Sequence, residues 1–387
     1  MRRLLVLVCA IVLVDTMLYA ALVPLLPGFA DDYGLSKTGA GLLVAAYAAG
    51  VLIGALPGGI ASARLGPRTA AVAGLVVIAA ASVGFAFATN EWTLGASRVV
   101  QGFGSALSWS GGLAWLVSAA PRERRGEMLG TALAGAIVGA LLGPVVGGIA
   151  AVVGTKQTFV GVGALAALLA AWALRTTGAP AQPVRLAAVG AAFRERRFVG
   201  GLWLMLLPSL LLGVLAVLVP LDLAALGWGA VAIGGVYLAS AAVEVGANPL
   251  IGRLIDRRGV GGPVRAALIA SVAVSIGLAL ASRAPVVAAL AVVAGVSFGA
   301  LLTPGMALLS DGADRVGLSQ GVAFGLMNGA WAAGNTVGPS GAGAVGDLVG
   351  DAAAYSGAAA LCALTFILVT PRRAGAGTVP MRVPTKP

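Results

Sequence analysis

The stretch GALLGPVVGG, residues 139–148, decides what kind of molecule this is. Four glycines and a proline sit inside an otherwise apolar run. In water that composition makes a poor helix, since Gly costs about 1 kcal/mol and Pro about 3 kcal/mol against Ala at interior positions. No polar punctuation marks it as a loop either. Such a segment is at home in lipid, where Gly and Pro are commoner in helices than they are in water.

Composition extends that reading to the whole chain. Of 387 residues, 59% are hydrophobic and 10% charged, with a mean hydropathy of +0.99. Globular domains carry about 25% charged residues. The sequence breaks into apolar runs of a length that crosses ~30 Å of hydrocarbon as helix. Twelve spans are expected: 4–26, 38–60, 69–89, 92–116, 128–150, 157–174, 199–220, 230–251, 264–282, 285–309, 319–344 and 352–370. The opening MRRLLVLVCAIVLVDTMLYAALVPLLP imitates a signal peptide, but its apolar run to Pro24 exceeds the ~7–15 residues of a signal core. It is read as the first span, retained. Cys9 and Cys362 lie far apart in apolar spans and imply neither disulfide nor metal site. There is no histidine, so the usual metal ligand and general base are missing, and no metal, cofactor or enzymatic activity is expected.

The net charge of +11 reports topology rather than nucleic acid. Of the 25 Lys and Arg residues, all but four fall at the termini, in the central linker or in loops on that same face. Lys37, Lys156 and Arg283 lie on the opposite face, and Arg98 is inside a span. The positive-inside rule then puts both termini and the linker in the cytoplasm. The basic loops contact anionic lipid.

The chain also repeats. GIASARLGPR (59–68) follows the second span and GRLIDRRG (252–259) follows the eighth, 193 residues later. The same offset pairs Gly102 with Gly295, and an offset of 195 pairs Gly143-Pro144 with Gly338-Pro339. Parallel repeats of this kind build transporters around a midplane site. The fold class is therefore an all-α integral membrane protein, with twelve transmembrane helices in two pseudo-symmetric six-helix bundles. Residues 1–174 form the first bundle, 175–197 a cytoplasmic linker, 198–371 the second bundle and 372–387 a polar, disordered cytoplasmic tail.

On these motifs the sequence resembles the major facilitator superfamily, and within it the twelve-span drug:proton antiporters. The family's loop signature appears as Gly59, Arg64, Gly66, Pro67 and Arg68, with a second-half copy in Gly252, Asp256, Arg257 and Gly259. The span-four signature appears as Arg98, Gln101, Gly102 and Gly104. The antiporter signature of span five matches at Gly130, Gly139, Gly143, Pro144, Gly147 and Gly148. Span one, with Asp15, Pro24 and Pro27, looks like the opening helix of tetracycline and vesicular-amine transporters. The resemblance implies gating by the loop motifs and proton coupling through Arg98. Ala63 stands where the family usually has an Asp that locks the cytoplasmic gate; Asp256 is expected to carry that role in the second half.

The residues themselves point the same way. Gly139, Gly143 and Gly147 recur every four positions and so share one helix face. With the kink at Pro144, they are expected to make a tight, dry seam between the halves. Charges inside spans are costly and mark pathways. Asp15 lies near the midplane, about 16 Å along its helix at 1.5 Å per residue; Glu244 and Arg98 are the other two. A carboxyl in hydrocarbon favours its neutral form, and it holds a proton or a cationic cargo, not readily both. Tyr237, Ser240, Glu244 and Asn248 share one stripe of span eight. Tyr19 sits one turn from Asp15, and Asn328, Trp331 and Asn335 share a face of span eleven. With Gln101 these are expected to line a cavity for small hydrophobic substrates, cationic ones among them.

The expected function is a proton-driven exporter of such compounds in the cell membrane. It would work as a monomer by alternating access, with substrate, protons and lipid as partners and no nucleic acid. An uptake symporter or sugar-efflux carrier is the alternative within the fold, and the glycine-proline signature argues against symport. A membrane-embedded enzyme or channel is the alternative outside it. The lack of a nucleophile-base pair argues against the first, and the two-half repeat against the second.

Overall fold

The computed structural model describes residues 2–120, 125–178, 189–318 and 320–369. Over these residues the chain is helical: α1 (Arg2–Ala20), α2 (Leu26–Tyr33), α3 (Lys37–Leu65), α4 (Pro67–Ala86), α5 (Glu91–Ala119), α6 (Arg125–Val153), α7 (Thr155–Leu174), α8 (Val189–Ala192), α9 (Arg196–Ala225), α10 (Ala230–Arg258), α11 (Gly261–Leu280), α12 (Ala284–Gly299), α13 (Leu302–Arg315), α14 (Gln320–Val349) and α15 (Asp351–Val369). Residues 179–188 of the linker and the tail lie outside the described residues.

Among the described residues ten helical runs are long and apolar enough to cross a membrane, with α1–α2 and α12–α13 each forming one broken run. The 29-residue α5 and the 30-residue α14 are as long but richer in Gly, Ser and Asn. Together these are the twelve expected spans. Spans one and ten are interrupted, which the hydropathy pattern does not show. Pro24 has no N–H to bond the carbonyl of Ala20, so the ladder fails where α1 ends. A 3-10 turn, Val23–Leu25, bridges to α2.

Helix ends explain several motif residues. Asn90 caps α5 through a capping box with Thr93, at 2.9 Å from the Thr93 N–H. Gly66 and Gly259 close the two related loops at φ 92° and 72°, a left-handed backbone that side chains disfavour. The signature glycine is thus there for the turn. Arg68 donates to the Thr176 carbonyl at 3.3 Å, tying its loop to the end of α7.

Packing repeats as the sequence offsets predict. In the first half α1 lies on α6, α3 on α5 and α4 on α7; in the second α9 lies on α14, α10 on α12 and α11 on α15. The glycine stripe of α6 faces α1. A methyl group built on Gly139, Gly143 or Gly147 would overlap Leu13, Ala20 or Ala21. Gly334 and Gly338 press α14 on Leu206 and Leu210 of α9 in the same way, at the 195-residue offset. The seam therefore lies inside each half, not between the halves as expected from sequence. The proline, not the glycines, faces across: the Pro144 carbonyl meets Gly234 of α10. Gly148 points to open space, and Gly130 lies on α6 with its surroundings outside the described residues.

The halves meet along α3–α14 and α6–α10. At the end away from the termini, Asp347 of α14 accepts the backbone N–H groups of Lys37 and Thr38 at 3.0 and 2.7 Å, capping α3 from the other half. The Lys37 ammonium pairs with Asp351, and Gly41 lies against the Pro339 carbonyl. A carboxylate at a helix N-terminus is held by donors and dipole together. Asp347→Ala should therefore loosen this end by about 0.5–2 kcal/mol. With Cys9 and Cys362 replaced by serine, maleimide labelling of an Ala40→Cys probe should rise about 2- to 30-fold; an unchanged rate would contradict the latch.

Candidate functional site

Two carboxyls enter the interior from different halves, in unlike surroundings. Asp15, near the end of α1, is 5% exposed. Its Oδ1 accepts the Tyr47 hydroxyl at 3.0 Å. Its Oδ2 accepts the Ser105 hydroxyl at 2.7 Å and the Trp109 indole N–H at 2.6 Å. An indole N–H can only donate, so Oδ2 is an acceptor here.

Arg98, 1% exposed, completes this cluster from the same face of α5. It donates to the carbonyls of Leu18 and Tyr19 at 3.2 and 3.3 Å, beside the break after α1, and to Gln101 at 3.2 Å. Its guanidinium lies 4.6 Å from the Tyr47 ring centroid, a cation–π contact. Gln101 in turn donates to Ser82 at 3.3 Å. Gln101 thus sits in the interior of the first half, away from the cavity between the halves where sequence placed it.

Tyr19 crosses between the halves. Its hydroxyl donates to Asn335 at 2.7 Å, and its ring meets Trp331 edge-on at 5.2 Å. Asn328 lies on α14 nearer the termini and is partly buried.

Glu244, on α10, lines a cavity of about 140 Å³ with walls from both halves. Val23, Ala140 and Pro144 come from the first half; Tyr237 and Ser240 come from the second. Tyr237 donates to the Leu215 carbonyl at 2.7 Å. Among the described residues Glu244 has no hydrogen-bond or ion-pair partner. Of the expected stripe, Tyr237, Ser240 and Glu244 line this one cavity. The side chains of Asn248, Asp256 and Arg257, and the surroundings of Gly252, lie outside the described residues. Gly59 and Arg64 lie in the last turns of α3 and do not line the cavity.

Sequence reasoning missed three partners of Asp15: Tyr47, Ser105 and Trp109. A signal for two of them was present. Arg98, Gln101, Ser105 and Trp109 fall at helical spacing on one face of α5. Tyr47 carries no such signal, because only the packing of α3 on α5 brings it there. Among the described residues no group of His, Cys, Asp and Glu is arranged to hold a metal ion.

The profile of the Major Facilitator Superfamily matches residues 8–323. The chain belongs to the major facilitator superfamily. It is accordingly a multi-pass membrane protein. Over 141 residues it is 34% identical to a probable vesicular acetylcholine transporter-B of Danio rerio, covering 34% of this chain and 28% of that one. Over 146 residues it is 27% identical to quinolone resistance protein NorA of Staphylococcus aureus strain MRSA252, covering 38% of each. These matches span between about a quarter and two fifths of the relatives' length. Among solved structures, a bacterial homologue of the human lysosomal transporter Spinster, inward-facing and unoccupied, superposes with a TM-score of 0.72 at 16% identity, over 95% of this chain and 94% of that one. A D-xylose-proton symporter gives 0.71 at 16% identity, over 94% and 98%. At such identity the likeness is one of fold.

Proposed function

We propose that this superfamily member is a proton-coupled exporter of small hydrophobic compounds, cationic ones among them. It works by alternating access in the cell membrane, with both termini and the linker cytoplasmic. The observation that carries the reading is the Asp15 cluster: a carboxyl sealed among Tyr47, Ser105 and Trp109, on the helix that the glycine seam of α6 grips. An intramembrane carboxyl this enclosed exchanges protons more readily than solutes. It sits five residues from the break after α1 and one turn from Tyr19, which touches the other half. A change in its charge is therefore felt where the halves meet.

The polar contacts that join the halves run from Tyr19–Asn335 at mid-depth to the Lys37–Asp347–Asp351 latch. These contacts support a state closed at the end away from the termini. The cycle follows: cargo enters from the cytoplasm, the halves rock, and protons arriving from outside displace it. The walls of the cavity favour this cargo over a sugar. Ala, Val, Leu and Pro dominate them, whereas a sugar needs many hydrogen-bonding groups. The partial likeness to a quinolone resistance protein supports a drug-like cargo, and that to a probable vesicular acetylcholine transporter supports a cationic one.

The test uses everted membrane vesicles with an acid lumen. Ethidium should accumulate when the pH gradient is imposed and leak away when nigericin collapses it. Accumulation that ignores nigericin, or that needs an alkaline lumen, would contradict the reading.

A further inference from the structure

Two carboxyls that look equivalent in sequence are enclosed differently, and the difference separates their tasks. Resting on the exporter reading above, we propose that Glu244 is the subsite that holds the cationic head of the cargo, while Asp15 touches no cargo and exchanges protons only.

Three observations carry the division. First, both oxygens of Asp15 are taken by donors from its own half, at 2.6–3.0 Å. An organic cation would have to break these bonds to reach it. Second, Glu244 borders the cavity between the halves and has no partner among the described residues. A half-buried carboxylate without a partner is stabilised by any cation that fits.

Third, the hollow around Glu244 is built by glycine. Gly295 and Gly299 of α12 stand four residues apart, opposite Ser240 and Glu244 of α10, also four apart. A methyl group on Gly295 would overlap the Ser240 hydroxyl, and one on Gly299 would overlap the Glu244 carboxyl. The two glycines thus let a polar stripe lie between helices in close contact, and Gly299 is a positioning residue for the carboxyl.

The cargo follows from the walls. At about 140 Å³ the cavity is smaller than the ~300–1,000 Å³ of drug-sized pockets. It admits an ammonium or ring-nitrogen head and a short apolar flank. Tyr237, on the same stripe, offers a ring to a cation.

The test is a charge preference. Ethidium and its neutral dihydro form share a ring system and differ in charge. Their dissociation constants would be read on purified full-length protein by quenching of tryptophan emission. Wild type should favour ethidium. Glu244→Gln should lower that preference about tenfold, the size of one lost charge-assisted contact. Glu244→Asp should retain most of it. Gly299→Ala leaves every charge in place but pushes the carboxyl aside, so it should lower the ratio too. This variant supplies the answer if Glu244→Gln does not elute as a single species. Asp15→Asn should move both affinities together and keep the ratio. The proposal is overturned if wild type shows no preference, if Glu244→Gln keeps it, or if Asp15→Asn abolishes it. The assay reads no proton movement. Absence of pH-driven transport would therefore sink the antiport reading and leave the subsite standing.

Discussion

Asp15→Asn is expected to reduce pH-gradient-driven export to the background of empty vesicles, for cationic and neutral cargo alike, while the protein stays folded. Asparagine keeps the shape of aspartate. Its amide oxygen can still accept from Ser105 and Trp109, and its NH2 group can face Tyr47 with that hydroxyl turned to accept. What is lost is the charge-assisted part of these bonds, about 1–3 kcal/mol in stability. Arg98 keeps its place through the Leu18 and Tyr19 carbonyls, Gln101 and the Tyr47 ring. The amide, however, neither takes up nor releases a proton at any working pH, so the exchange has no carrier. The check is nigericin-sensitive ethidium accumulation beside a thermal melt of the same sample. A variant that folds and transports like wild type would remove Asp15 from the coupling.

Gly143→Leu is expected to have an effect of similar size by a different route. The α6 backbone rides on α1 at this residue. A β-carbon at Gly143 would already overlap that of Ala20 and would stand 3.0 Å from the Met17 carbonyl. Leucine adds three further carbons, so α1 must move off α6. Overpacking of a tight interior costs about 1–3 kcal/mol. Here the displaced helix also carries Asp15 and Tyr19, so transport should fall to background as well. Gly143→Ala should lie between. Gly148 belongs to the same signature, but a β-carbon there meets nothing within 4 Å. Gly148→Leu should stay within ~0.5 kcal/mol of wild type in stability. Equal damage at both positions, read by transport and melting midpoint, would show that the stripe does not act through α1.

What could be read in advance follows from range. The solvent and the spans were legible, because ~20 apolar residues in a row fit a membrane helix and little else. The repeat was legible because glycines at fixed offsets perform the same packing twice, Gly143 on Ala20 and Gly338 on Leu210. The polar stripe of α10 was legible from helical spacing alone. Everything that depended on which helix lies opposite was not. The glycine face of α6 read as a seam between halves, yet it meets α1 inside its own half. Gln101 read as cavity lining, yet it is sealed with Arg98 and Ser82. Tyr47, 32 residues from Asp15 along the chain, is invisible to any local pattern. The breaks in spans one and ten leave the hydropathy profile unbroken, although Glu244 packs at the second and Arg98 at the first.

The central claim is an exchange of protons for cargo, and the most direct test reverses the drive. Proteoliposomes loaded with ethidium, with no initial pH gradient and the membrane potential clamped by potassium and valinomycin, are diluted into dye-free buffer. Exit of the dye down its own gradient should carry protons inward and acidify the lumen, and the Asp15→Asn protein should leave lumenal pH unchanged. Dye exit from wild-type liposomes with no change of lumenal pH, or with alkalinisation, would contradict the exchange.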